Sequence, residues 1–293
     1  MAFNRPQTLS RVFAAVREAR PPRLLLVCDG PRADRPGEAE RCAEVRRILE
    51  GVDWPCDVQR NYSDVNLGCR ARIASGIEWV FSREEEAIFL EDDTLPDASF
   101  FPFCDELLAR YREDVRVQMV CGWNLLGRGD LGGASYWFSS HTRIWGWASW
   151  RRAWRGYDVT MADWPAFTLT SAWTQRTADE RAGWKPFFAA VKDARVDTWD
   201  AQLTLLAWRT GRLSIIPATN LVTNIGFGAD STNTGSTVNP SPPVHAMRQP
   251  LVHPSVVAPS PRLDAHWVRR EFGARPGGVR RLLRHFVRRL RGQ

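Results

Sequence analysis

AIFLEDDTLPDASFF, residues 87–101, sets three adjacent carboxylates, Glu91, Asp92 and Asp93, directly after the apolar run Ala87-Ile88-Phe89-Leu90. The run reads as a buried strand, and its end is a poor place for three repelling charges unless a cation joins them. Oxygen ligands of this kind suit a hard divalent cation, Mn²⁺ or Mg²⁺, which keeps several waters and needs only one or two protein carboxylates. The plainer reading makes Glu91 and Asp92 solvated loop residues and gives Asp97 the cap of the next helix.

The surroundings favour the first reading. PQTLSRVFAAVREAR carries Leu9, Val12, Phe13 and Val16 on one helical face, and Pro21-Pro22 stops it. RLLLVCDG is an apolar strand that reaches a loop at Asp29-Gly30, followed by a charged helix over about 38–49 and a strand in CDVQRNY. GCRARIASGIEWVF reads as a helix with Ile73, Ile77, Val80 and Phe81 as its stripe; SFFPFCDELLARYR is the next helix and RVQMVCGW the next strand. This alternation predicts an α/β fold, a mostly parallel sheet flanked by helices, with ligands bound beyond the carboxyl ends of the strands. Asp29 and the acidic triplet both lie at such ends. The opening AFNRP looks like the tail of a strand entering a loop, with Asn4 available to cap a helix at Pro6, and the body of that strand is expected upstream of the sequence.

The second half differs. Trp145, Trp147, Trp150 and Trp154 crowd one stretch, and DTWDAQLTLLAWRTG reads as a helix opened by acids. LSIIPATNLVTNIGFG reads as a strand pair that enters a loop rich in Gly, Ser, Thr and Asn. Residues 236–268, rich in Pro, Val and Ser, read as an extended linker, and residues 269–293 as a basic amphipathic helix. That last segment holds nine arginines against Glu271, which accounts for the net charge of +7. The rest is nearly balanced, so a nucleic-acid-binding surface is not indicated, whereas the tail suits an anionic membrane surface. The six cysteines follow no zinc or disulfide spacing and read as buried thiols. With no apolar run of about 18 residues and no secretory core in MAFNRPQTLS, the protein is expected in the cytoplasm, peripheral at the inner membrane face.

The order FNRP, LLLVCDGPR, NYSDVNLGCRARIASGIEWVF, EEEAIFLEDDTLPDASFF, IWGWASWRRAW, DTWDAQ and NLVTNIGFG resembles the GT-A glycosyltransferases. The likeness is to bacterial relatives of the N-acetylglucosaminyltransferase I group, which carry EDD as their form of the DxD motif, and it spans roughly residues 2–235. The resemblance implies a GT-A domain over 1–235, with a nucleotide-sugar half to about 125 and an acceptor-side α+β half beyond. It implies a metal-dependent, inverting transfer from a nucleotide sugar, a UDP-sugar foremost, to an acceptor hydroxyl of a cell-surface glycan or glycolipid.

Roles follow residue by residue. Asp93 would hold the metal. Asp92 would face the ribose or the water shell, Glu91 the nucleotide or sugar, and Asp29 the uridine. Arg5 would reach the base or a phosphate, and Asn66, Arg70 and Arg72 belong to a helix start aimed at the nucleotide. Asp200 is the candidate base, with Asp197 as helix cap or acceptor contact, and both could instead be caps. Trp145 and Trp147 would line the acceptor cleft, while Trp150 and Trp154 pack. After GFG the family often places an acid and a histidine, where this chain has Asp230 and Asn233. Two alternatives stay open: a sugar-phosphate nucleotidyltransferase, whose N-terminal glycine-rich phosphate loop is not visible, and a catalytically silent carbohydrate-binding protein on the same scaffold.

Overall fold

The computed structural model describes residues 1–128, 131–227 and 241–272. In chain order its elements are α1 (Pro6–Ala19), β1 (Arg23–Cys28), α2 (Glu38–Leu49), β2 (Asp57–Tyr62), α3 (Cys69–Phe81), β3 (Glu86–Phe89), β4 (Thr94–Pro96), α4 (Phe100–Arg110), β5 (Val117–Cys121), β6 (Tyr136–Ser139) and β7 (Trp147–Trp150). They continue with α5 (Arg151–Trp154), α6 (Trp164–Phe167), α7 (Ser171–Thr174), α8 (Ala178–Lys192), α9 (Asp200–Thr210), β8 (Leu213–Pro217), β9 (Val222–Asn224) and α10 (Pro261–Phe272). The fold is mixed α/β, and the helices and strands read from the first half fall within a few residues of these bounds.

The sheet is less parallel than its sequence suggests. β1 and β2 pair in parallel, but the five-stranded sheet β3-β7-β5-β8-β6 has a single parallel pair, β5 with β8. β7 and β6 run against their neighbours. These are the aromatic strands WASW and YWFS, whose residues are all buried, so neither shows the polar-apolar alternation that marks a strand. β3, β5 and β8 still share one direction, because both β3 and β5 oppose β7. The sheet also joins strands from either side of residue 125, so the two halves are not separate layers.

Residues 1–3 link the two sheets. Ala2 bridges to Cys28 in parallel, and the Met1 amino group donates to the Leu90 carbonyl (2.9 Å) while Phe3 N–H donates to Asp92 (3.0 Å). Residue numbers rise together along both contacts, so β1, this segment and β3 all deliver their carboxyl ends to one edge. Asn4 does not cap α1: Arg5 holds the N-cap position, and the Asn4 amide donates to Glu38 (2.8 Å).

Side chains alternate across the sheet as strand geometry requires. Val120, Phe138, Ala148 and Trp150 pack under α4, while Met119, Cys121, Trp137 and Trp147 pack under α3 and α9. A further aromatic core, with Trp164, Trp173, Trp184, Phe188 and Trp208, joins α6–α9. Four of the six cysteines are buried; Cys56 and Cys69 are partly exposed.

The expected linker and tail are corrected in the described part. Residues 241–260 are extended but packed: Met247 and Leu251 are buried in the core under α4, and Ser260 N–H donates to the Phe138 carbonyl. A helix begins at Pro261 rather than near 269, and Leu263, Trp267 and Val268 bury against the domain. Their spacing gives an inward face that the proline-rich context concealed. Residues 273–293, most of the basic segment, lie outside the described residues. Among the described residues no helix is long and apolar enough to cross a membrane.

Candidate active site

The acidic triplet begins where β3 ends. Thr94 turns the chain there, its hydroxyl accepting from Glu91 N–H (2.8 Å), and β4 then pairs with β9. Arg5 is the cation that the triplet requires. Its guanidinium spans Asp92 Oδ1 and Asp93 Oδ2, each at 2.6 Å. Burial works against the charge on Arg5, yet Asp92 and Asp93 outweigh it and hold its pKa above the ordinary value.

One guanidinium does not satisfy three carboxylates. Asp92 is 3% exposed and spends both oxygens, on Arg5 and on Phe3 N–H. Burial nevertheless raises its pKa against the pull of Arg5. Glu91 has a buried Oε1 without a hydrogen-bond partner, and burial, then Asp93 and Asp92, push its pKa up to about 8. Among the described residues Asp93 engages Arg5 through Oδ2, and its Oδ1 has no hydrogen-bond partner and is not sealed from solvent. A Cβ added to Gly226 would meet Asp93 Oδ2 at 2.4 Å and Arg5 Nη1 at 2.6 Å, so glycine is required beside this pair. Ile225 N–H donates to the Asp93 carbonyl (2.7 Å) and holds that approach.

The donor set therefore fits Mn²⁺ or Mg²⁺ in a restricted way. Asp93 Oδ1 offers one hard oxygen, which suffices for a cation that takes its other ligands from water and phosphate. Asp92 is consumed by the fold. Among the described residues no cluster of three or more His, Cys, Asp or Glu is arranged to hold a metal by itself.

Asp29, 4% exposed at the end of β1, accepts from Gly30 N–H (2.9 Å), Leu67 N–H (3.0 Å) and the Asn66 amide (3.0 Å). Burial raises its pKa in spite of these donors. It thus shapes the loop over 63–68, and Gly30 has no room for a Cβ against the Val65 backbone at 2.5 Å. Arg72, 5% exposed, donates to Asn61 O (2.6 Å) and Oδ1 (3.0 Å), with no carboxylate at ion-pair distance among the described residues. Burial lowers its pKa, and the charge of Asp29 is the largest opposing influence. Arg70 turns the other way and donates to the carbonyls of Val191 (3.1 Å) and Val196 (2.5 Å).

The two acids of DTWDAQ separate. Asp200 opens α9 and accepts from the Thr198 hydroxyl. Asp197 lies before the helix and accepts from Cys69 N–H (2.8 Å) and Arg70 N–H (3.1 Å), so it caps α3 rather than α9. Asp97 likewise is no side-chain cap; it folds a turn onto Ser99, the residue before α4.

Trp147 does not line a cleft. It is 2% exposed and stacks on Phe89 (4.3 Å) and Trp199 (5.6 Å) in the core. Trp150 and Trp154 are buried as expected. Trp145 is partly exposed against Trp123 (4.6 Å) and Phe227 (5.9 Å), beside Gly226. Trp123 and Gly226 were not singled out from sequence. The glycines of NIGFG and the Gly-Trp at the end of β5 were the available signals. Asp230 and Asn233 lie outside the described residues.

No family model matches the chain. A comparison with curated proteins likewise gives no match. The functional reading therefore rests on the residues.

Proposed function

We propose that this protein is a metal-dependent, inverting glycosyltransferase of GT-A type. It moves a sugar from a nucleotide donor, foremost a UDP-sugar, to a hydroxyl of a cell-surface glycan or glycolipid, working at the inner membrane face. The supporting observation is Asp93 at the edge where β1 and β3 end: Arg5 and the close approach of Gly226 fix its Oδ2, and Oδ1 is left uncommitted among the described residues.

In this reading Asp93 Oδ1 holds Mn²⁺ or Mg²⁺, which when bound neutralises charge on the departing nucleoside diphosphate. Asp29 and Asn66 set the loop that receives the nucleoside. Arg72 brings an unpaired cation to the diphosphate side. Glu91, kept protonated by its surroundings, offers a hydrogen-bond donor to the sugar or nucleotide. Asp200 accepts the acceptor hydroxyl's proton as that oxygen bonds to the anomeric carbon and the bond from that carbon to the diphosphate oxygen breaks. Trp145, with Trp123 and Phe227 behind it, offers an aromatic face to the acceptor sugar.

A silent carbohydrate-binding protein is the second reading, favoured by the Arg5–Asp93 ion pair that occupies one carboxylate oxygen. Release of UDP from a panel of UDP-sugars with Mn²⁺ separates the two. Turnover abolished by Asp93→Ala supports the transferase; sugar-nucleotide binding without turnover supports the silent scaffold.

A further inference from the structure

We infer that Asp197 is a positioning residue that fastens the segment bearing the base, Asp200, to the loop that receives the donor nucleotide. The inference rests on the glycosyltransferase reading for the roles of Asp29 and Asp200, and on geometry for the fastening itself.

α3 begins at Gly68, a residue with φ of 80° and no side chain to cap the amides that follow. The cap comes instead from Asp197, 128 positions away along the chain, with Oδ2 on Cys69 N–H and Oδ1 on Arg70 N–H. A Cβ at Gly68 would stand 3.0 Å from Asp197 Oδ2, so the glycine makes room for this foreign cap. Arg70 returns the contact through Nη2, donating to the carbonyls of Val191 and Val196. Four hydrogen bonds thus pin residues 191–197 to the first turn of α3.

Both ends of this fastening lead to the proposed chemistry. Upstream of Gly68, Leu67 N–H and the Asn66 amide are held by Asp29. Downstream of Asp197, the Thr198 hydroxyl donates to Asp200, and the Thr198 carbonyl accepts from Gln202 (2.9 Å). A continuous path runs from Asp29 through the 66–68 loop, the start of α3, Asp197 and Thr198 to Asp200. An ordinary cap would be local and would stabilise α3 alone. A cap drawn from the acceptor side sets where the base stands relative to the donor, and sub-ångström placement of a base governs turnover.

The test compares Asp197→Ala, Asp197→Asn, Asp200→Asn and Asp197→Ala/Asp200→Asn in the full chain. Asp197→Ala is expected to lower kcat about tenfold, a barrier increase of about 1.4 kcal/mol, and to leave the donor KM within about twofold. Asp197→Asn, which keeps one acceptor oxygen, recovers most of that loss. In the Asp200→Asn background, Asp197→Ala has no further effect, since it acts through Asp200. An equal loss in that background, or a loss that falls on donor KM alone, overturns the inference. Hydrogen exchange without ligand reads the fastening independently of activity: Asp197→Ala speeds exchange about tenfold in the first turns of α9, residues 203–206, as well as at 69–72. Unchanged exchange at 203–206 refutes the fastening. If the wild type turns over no nucleotide sugar but the exchange result holds, the glycosyltransferase reading fails and the fastening stands.

Discussion

Glu38 and Glu180 are as deeply buried as the triplet at the end of β3, yet their chemistry is opposite. Glu38 accepts from Arg32 through its backbone (2.7 Å), Nε (3.0 Å) and Nη2 (2.6 Å), and from Asn4 (2.8 Å). Glu180 accepts from Thr177 N–H (2.8 Å), faces Arg176 (3.4 Å) and His141 Nε2 (3.1 Å), and completes a capping box on α8. Burial opposes both charges, but Arg32 for the one and His141 for the other, with their backbone donors, hold the pKa values at about 2. Glu91 has no such donors and sits at about 8. Buried carboxylates with every oxygen paired belong to the fold. In the triplet Arg5 pairs with Asp92 and one oxygen of Asp93, and Glu91 is left without a hydrogen-bond partner on Oε1.

The comparison can be broken at several strengths. The largest effect is expected from Asp200→Asn, which should lower sugar transfer by about 10² to 10⁴ while leaving the thermal midpoint unchanged. A large loss of stability would move Asp200 into the structural group. Next comes Glu180→Ala, expected to cost about 3 kcal/mol in a denaturant titration, because it strands Arg176 and His141. Glu38→Ala should cost less, about 2 kcal/mol, since Arg32 can turn to solvent. Glu91→Gln is expected to cost no stability and to raise it at neutral pH, because glutamine is buried without the proton that Glu91 must take up on folding. A destabilisation as large as that of Glu180→Ala would erase the distinction.

The pH dependence separates the same groups by sign. For Glu38 and Glu180 the folded pKa lies below the unfolded value of 4.5, so their contribution is whole above pH 4.5 and is lost as pH falls toward 2. For Glu91 the folded pKa lies above 4.5, so its contribution is whole below that pH and is lost as pH rises through 8. Urea midpoints measured from pH 3 to 9 on the wild type, Glu180→Gln and Glu91→Gln check both limbs. Glu180→Gln should flatten the acidic limb and Glu91→Gln the neutral one.

Much of this was legible in the chain. The helices and strands up to Cys121, apart from the short β4, announce themselves through apolar stripes and through runs that stop at Asp, Gly or Pro. The position of Asp93 at a strand end followed from that pattern. What was not legible depends on distant partners. β6 and β7 hide their direction because aromatic residues fill both faces, and Trp147, adjacent to Gly146, was read as a cleft residue although Phe89 and Trp199 enclose it. The packed segment over 241–260 is broken by five prolines, so Met247, Leu251 and Val257, which pack on the domain, follow neither helical nor strand spacing. Asp197 looked like a cap for the helix beside it in sequence, and no spacing rule points across to Cys69.

In the proposed function Asp93 carries the metal on which donor binding depends. Thermal unfolding with a UDP-sugar, with and without Mn²⁺, on the wild type and Asp93→Ala tests it most directly. At ligand concentrations near 100 times Kd the wild type should gain about 2.7 kcal/mol, or about 5 °C in Tm. That gain should require Mn²⁺ and vanish in Asp93→Ala. A metal-dependent shift that survives in Asp93→Ala, or a wild type that shows none with any UDP-sugar, would contradict the account.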